Sequence, residues 1–480
     1  MKIKKITALF CAVALACSVA TGTLAASVQD WPQFLGSPVA PGITQAKTPV
    51  NASAAKLEWT AKQTVTSEFN GTKFESNAFG TPILVGDSLY VTVSDGKLLK
   101  LAASTGKTEA SAPCNNIPPY FSQIAYGDGK IYVPQQSAGG VQISAFDANT
   151  LAFLWQSDAV TFGESAQQIA SPITYYEKHI YFGTYTQDPS TYAYRSGVYA
   201  CLDTDTGKTA WQQTNSAAGY YWNGGAVLGN AIIIADTAGN ITAYQRASGT
   251  KISSVTAGGP IFSSLCSAEG RIYASVKSGY IYSVKADSDG NLYNSTAVKS
   301  AVLGSSISSS PVVYNGRLYV AGGGYGATTP FSVLDAATLK TVYQIKEIQS
   351  QSSPLVTAAY ATDKNQKQVC IYLTKYGAAS QDGVFTKDSS SVYVIRDKAG
   401  QAKASYETLF TPATAQSCTQ SLAASKDGML YYFNDSGTLY AIGSKSPLAS
   451  PKTGEVPVAG GVVLFLLSGA AVILARKRIK

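Results

Sequence analysis

The chain contains one histidine, His179, in 480 residues. A lone imidazole in the strand-like run His179-Ile180-Tyr181 can supply neither a nucleophile's base with its partners nor a histidine metal site. It reads as an exposed or satisfied strand residue. The seven cysteines include no adjacent pair and no Cys-x-x-Cys. That excludes a zinc ribbon or a dithiol redox motif. Cys114, Cys201, Cys266, Cys370 and Cys418 are too widely spaced for a disulfide framework or a metal cluster, so they read as small buried hydrophobes on strands. Charged residues make up only 14% of the chain, and no spacing among the acids nominates a catalytic carboxylate pair.

The two ends carry much of the formal charge of +8. Lys2, Lys4 and Lys5 precede an apolar stretch over 6–20 and small residues around Ala25 and Ala26, the form of a cleavable Sec-type export signal over 1–26. Cys17 follows Ala14-Leu15-Ala16, without the leucine and polar tether of a lipoprotein signal. At the other end, Ser450-Pro451-Lys452-Thr453-Gly454 precedes twenty apolar residues over 456–475, and Arg476, Lys477, Arg478 and Lys480 close the chain. Twenty such residues are long enough to cross a bilayer, and the terminal cations would hold their end in the cytoplasm. Three lysines leave with the leader, and four cations with Glu455 leave with the tail, taking the formal charge to about +2. Such a chain has no basic footprint for nucleic acid.

Between these ends the sequence repeats. The plainest unit runs Ser171-Pro172-Ile173, His179-Ile180-Tyr181-Phe182, then Gly197 to Asp203, then Thr206-Gly207-Lys208 and Trp211. Each piece is a short strand with apolar residues at every second position, and Asp203-x-x-Thr206-Gly207-Lys208 has the composition of a turn. The second-strand position recurs as Tyr90, Tyr132, Tyr181, Ile233, Tyr273, Tyr319, Tyr372 and Tyr431, with gaps of 40 to 59 residues. Eight four-stranded blades follow, and the last lacks an outer strand. Lys56-Leu57-Glu58-Trp59-Thr60 can supply it, because Trp59 matches Trp155 and Trp211 at the ends of other outer strands.

The expected fold is therefore all-β: an eight-bladed β-propeller of four-stranded antiparallel blades, closed by an N-terminal strand, with a C-terminal transmembrane helix. The expected divisions are a signal peptide over 1–26, an N-terminal lead-in over 27–55, the propeller over 56–443, a linker over 444–455, the span over 456–475 and a basic tail over 476–480.

Ala200-x-x-Asp203-x-x-Thr206-Gly207-Lys208-x-x-Trp211 and Asp30-Trp31-Pro32-Gln33-Phe34-Leu35-Gly36 resemble the quinoprotein-like propellers, over roughly 31–443. That family includes quinone-dependent alcohol dehydrogenases and an outer-membrane assembly lipoprotein. The resemblance implies the fold rather than a function. The dehydrogenases carry adjacent cysteines and a calcium ion beside a catalytic aspartate, and this chain has no such cysteine pair. The tail resembles the cell-wall sorting signal of Gram-positive surface proteins, with Ser450 in place of the leading leucine. The resemblance implies a sortase as processing partner, Thr453 as acyl donor and Gly454 on the leaving side.

Two loops look like ligand sites. Asp287, Asp289 and Asn291 set oxygen ligands at alternate positions, as a calcium loop begins, but the sixth-position glycine and twelfth-position acid are missing, which favours a polar turn. Gly322-Gly323-Gly324-Tyr325-Gly326 follows a strand but opens no helix, so it is no phosphate cradle. No cofactor is expected, neither pyrroloquinoline quinone nor a required calcium. Among the thirty tyrosines, Tyr120, Tyr185, Tyr192, Tyr194, Tyr220, Tyr221 and Tyr325, with Trp222, fall in loops, as a contact face would place them. The expectation is a monomeric, non-catalytic surface scaffold that binds an envelope or host protein. Glycan recognition is the second reading, and a quinone-dependent dehydrogenase or hydrolase the third.

Overall fold

The computed structural model describes residues 30–445 except 64, 70–71, 77–79, 94–95, 115–116, 118–122, 164–166, 324–327 and 378–384; side chains over 65–76 are also left aside. The leader, the sorting motif Ser450 to Gly454 and the apolar span lie outside the described residues. Among the described residues, no helix is long and apolar enough to cross a membrane.

Eight antiparallel sheets stand around a central axis. They cover 83–113, 125–156, 174–215, 226–256, 266–299, 312–345, 355–410 and 423–444, here blades 1 to 8. Each chain segment builds its blade from the axis outward. Blade 8 takes its outer strand, Ala55–Lys62, from the N-terminal side, paired antiparallel with Thr438–Ser444. The ring thus closes where the sequence predicts, and no edge is left between first and last blades. The eight recurring second-strand residues, Tyr90 through Tyr431, are all buried on second strands.

Strict alternation does not hold for the middle strands. In blade 3, Gly197–Asp203 is buried at six successive positions, while outer strands such as Ala55–Lys62 are mostly exposed. A middle strand has a neighbouring blade on each face, so both faces are interior, as in a sheet covered on two sides. The apolar clusters accordingly run between blades. Ile173, Ile180 and Leu202 of blade 3 pack with Tyr132, Ile143 and Ala145 of blade 2.

The blade motif joins blades in sequence. Asp203 Oδ1 accepts the Asp205 and Thr206 amides and the Thr206 hydroxyl, at 3.1, 2.8 and 2.7 Å. This turn leaves Gly207 at φ +71°, against the Trp155 indole of the preceding blade. Trp155 donates to the Thr204 carbonyl at 3.1 Å. Trp211 repeats the arrangement on Gly249 and the Arg246 carbonyl, and Trp59 on Gly106 and the Ala103 carbonyl. Ala200 is buried on the strand before this turn, while Lys208 is exposed and its amide donates to Thr206 Oγ1 at 3.3 Å.

Two features depart from expectation. Ile43–Thr44 pairs in parallel with blade 7's inner strand Leu355–Thr357, which makes that sheet five-stranded. A hairpin, Val65–Phe69 with Thr72–Ser76, is inserted between the closing strand and blade 1. Neither carries the repeat's turn signature, and two residues of pairing leave no periodicity to read.

Candidate binding face and central channel

The antiparallel order puts first-to-second and third-to-outer turns at one end of the ring. Second-to-third turns and the crossings between blades lie at the other. The N-terminal segment closes the first end. Trp31 bridges to Leu84 of blade 1, the Tyr126 amide of blade 2 donates to Pro32, and Gln33 exchanges two bonds with the Tyr175 backbone of blade 3. The Val227 amide of blade 4 donates to Pro38, and the segment then reaches blade 7 through Ile43–Thr44 and the Thr48 to Tyr372 hydroxyl bond of 2.7 Å. Phe34 lines both the channel and the crevice beneath this segment.

Above Phe34 the channel is a cavity of about 60 Å3 open at its far end. Its wall is a belt of interblade hydrogen bonds. The Gly224 amide donates to Ser264 Oγ, Ser264 to Ser310 Oγ, Ser310 to Ser353 Oγ and Ser353 to Ser421 Oγ, all at 2.9–3.0 Å. On the other side the Thr81 amide donates to Gln123 Oε1 at 2.7 Å. The recurrent sequence behind the belt is Ser/Thr-Pro at 81, 171, 310 and 353. Proline holds the preceding residue extended and ends the crossing before the inner strand. The described lining, including Thr81, Gln123, Trp222, Ser310, Gln351 and Ser353, contains no ionisable side chain.

Beside the open mouth, blades 3 and 4 gather the loop aromatics. Tyr194 and Tyr221 lie 4.7 Å apart, Tyr185 packs edge-on to Tyr221 at 5.2 Å, and Tyr221 stacks on Trp222 at 4.8 Å. Phe262 joins from the next crossing, 5.2 Å from Tyr194, with Lys277 Nζ 4.6 Å above its ring. Burial pushes the Tyr185 and Tyr194 phenols well up, so both stay neutral. Two of these rings sit on a projecting hairpin over 184–196. Asp188 ties its tip through the Ser190 and Thr191 amides and Arg195, which hold its carboxyl down at about 2. Tyr192 at the tip has φ +57° and is 71% exposed. The tip is the same Asp-x-x-Thr turn as in the blades, with Tyr192 in the left-handed position that Gly207 holds in blade 3.

The sequence nominations divide accordingly. Tyr185, Tyr192, Tyr194, Tyr221 and Trp222 meet on one face. Tyr220 is instead buried against Gly183 and Tyr199 as an interblade spacer. Tyr120, Tyr325, Gly324 and Gly326 lie outside the described residues. Phe262 escaped notice because its neighbours, Pro260 and Ile261, give no loop-aromatic pattern.

The other nominated groups are structural. His179 Nδ1 lies 3.0 Å from the Glu177 carbonyl at the closed end, far from the channel mouth. The five described cysteines are buried and free. Three sit on strands; Cys114 directly follows one, and Cys418 lies in the crossing from blade 7 to blade 8. Burial raises Cys201 and Cys418 to about 12 and Cys370 to about 11, which leaves no thiolate at neutral pH. Asp287 Oδ1 accepts the Asp289 and Asn291 amides, and its Oδ2 accepts the Asn291 amide group and the Tyr293 hydroxyl at 2.6 Å. The carboxylate is thus committed to its own turn. Among the described residues, no three histidine, cysteine or acidic side chains stand together as metal ligands.

This architecture is an eight-bladed β-propeller of four-stranded antiparallel blades. Residues 237–455, blades 5 to 8 and part of blade 4, match the family model described as outer membrane protein assembly factor BamB. No curated protein matches the chain. Among solved structures, BamB from Moraxella catarrhalis is similar at 12% identity over 80% of this chain and 98% of that one, with a TM-score of 0.53. Quinohemoprotein alcohol dehydrogenase from Comamonas testosteroni is 13% identical over 86% of this chain and 80% of that one, with a TM-score of 0.61. A computationally designed protein, Ika8, reaches 0.51 at 12% identity over 76% of this chain and 96% of its own. At these identities the likeness is one of fold.

The described channel lining does not fit the dehydrogenases' cofactor. An anionic carboxylate-bearing quinone and its metal ion require cations and acids about them, and the described wall supplies only hydroxyls, amides and apolar groups.

Proposed function

We propose that this chain is an exported, envelope-anchored propeller that binds a protein partner on its open face and is not itself a catalyst. The observation that carries this reading is Tyr192, 71% exposed at the tip of a hairpin that the packed Tyr185–Tyr194–Tyr221–Phe262 cluster braces from beneath. Large rigid rings with polar tips on a braced hairpin are the composition of interface hot spots. The partial match to an assembly factor's family agrees with a scaffold role, while the shared fold alone would equally suit an enzyme.

The test is affinity capture from solubilised envelope with the full-length chain. One stoichiometric protein partner is expected, with retention at least about tenfold lower for Tyr192→Ala. Equal retention by a variant with unchanged unfolding would remove the tyrosine face from the proposal. Anchoring is tested separately with Thr453→Ala, which should leave an unprocessed, detergent-extractable protein. Complete detergent release of the wild type with its tail intact would instead make the tail a plain membrane anchor.

A further inference from the structure

We infer that the open end of the central channel binds a neutral polyhydroxylated ligand, one sugar unit in size, seated against Trp222 and hydrogen-bonded by Gln351 and the serine belt. This inference is independent of the protein-partner reading, since Tyr192 does not line the channel.

Three observations converge. The first is the absence of ionisable groups from the described wall. An ionic ligand would be desolvated there without a countercharge, whereas a neutral one meets no such cost. The second is the supply of unused hydrogen-bonding capacity. Gln351 Oε1 is buried without a partner. Ser310, Ser353 and Ser421 each accept an amide through Oγ, which leaves each hydroxyl proton able to donate. One wall therefore offers an acceptor and several donors, and a sugar hydroxyl both donates and accepts. The third is the aromatic side. Trp222 lines the same cavity, braced by Tyr221 at 4.8 Å, and its backbone is held at φ +60°, a costly conformation for so large a residue. A ring with an apolar face and hydroxyl edge matches an aromatic wall with neutral polar groups around it. The cavity of about 60 Å3 holds roughly four to six waters at about 10–15 Å3 each, the space of a single sugar unit rather than a chain.

The experiment is saturation-transfer NMR with titration calorimetry on detergent-solubilised full-length protein. Glucose and N-acetylglucosamine are the neutral probes, and glucuronate and pyrroloquinoline quinone the charged controls. At least one neutral sugar should bind saturably, below about 10 mM, and more tightly than glucuronate. Binding should weaken about tenfold in Gln351→Ala, an effect of the size of one lost hydrogen bond. Trp222→Phe, which keeps an aromatic wall, should weaken it less than Trp222→Ala does. No saturable binding of either neutral sugar, or tighter binding of glucuronate or the quinone, would overturn the inference. So would neutral-sugar binding that both Gln351→Ala and Trp222→Ala leave intact. Should one variant fail to fold, the wild-type ranking of neutral over charged probes still decides.

Discussion

Trp155 and Gly207 show how one residue pair can carry both a repeat and a fold. The indole fills the place where a Cβ on Gly207 would sit, 2.4 Å from Trp155 Cε3, and the glycine is at φ +71°. Gly129 has a similar φ of +74° but open space around it. Gly129→Ala should therefore cost only the left-handed backbone, about 1–2 kcal/mol. Gly207→Ala should add the overpacking of the indole, for a total of about 2–5 kcal/mol. Urea unfolding of the two variants separates the contributions, and equal costs would mean that Trp155 yields freely. Acid groups give a second handle at this scale. Burial raises the Asp435 carboxyl to about 6 against the Ser417 hydroxyl, which lowers it. Below about pH 4 the group is protonated both folded and unfolded; above, the unfolded chain ionises first. Stability should therefore fall as pH rises from about 4 to about 6. Asp435→Asn should raise the urea midpoint at pH 7 while leaving it unchanged at pH 4. The tyrosine and tryptophan positions were legible because each recurs with its turn. The channel wall was not, because a serine before a proline reads only as a strand start, and its interblade bond spans more than 40 residues.

At the level of strands and segments, the packing between blades has interchangeable solutions. In blades 2 and 6 the turn glycine is replaced by Leu151 at φ 59° and Leu339 at φ 56°, both buried. The preceding blades present Ala110 and Val298 at the register position that Trp155 and Trp211 occupy elsewhere. Leu151 packs in one cluster with Ala110, and Leu339 with Val298. A large group thus comes from one blade or from the other, which keeps the volume filled. This exchange explains why only some repeats display the tryptophan motif. The N-terminal segment is the element the repeat could not announce, since it hydrogen-bonds five blades, 1 to 4 and 7, largely through backbone groups. Its anchor is Trp31, 2% exposed and packed on Gly36, with its indole nitrogen lacking a partner. Trp31→Ala should cost about 3–5 kcal/mol in urea unfolding. Trp31→Phe, which removes that unpartnered nitrogen and keeps most of the ring, should cost clearly less. A cost below about 1 kcal/mol for the alanine variant would show that the segment is dispensable to the ring.

Across the whole molecule, the two ends of the ring differ in the kind of group they present. The closed end carries ion-paired charges on its turns: Lys130 and Lys178 with Asp205, Arg246 with Glu177, and Lys426 with Asp87. These pairs are largely exposed, and each contributes little to stability. The open end presents the exposed Tyr192 above the packed tyrosine cluster, a neutral channel mouth, and charges such as Asp188 and Arg195 that are tied to each other. A partner docked by the first end would be steered and held by charge, and one docked by the second by apolar area and neutral hydrogen bonds. Salt distinguishes them, because raising ionic strength from 0.1 to 1 M shortens the screening length from about 10 to about 3 Å. If the partner seats on the open face, its affinity should change less than about threefold over that range, and its association rate should stay near that of uncharged pairs. A loss of tenfold or more, falling mainly on the association rate, would place it on the ion-paired turns of the closed end. The tyrosine hairpin would then be left to another ligand.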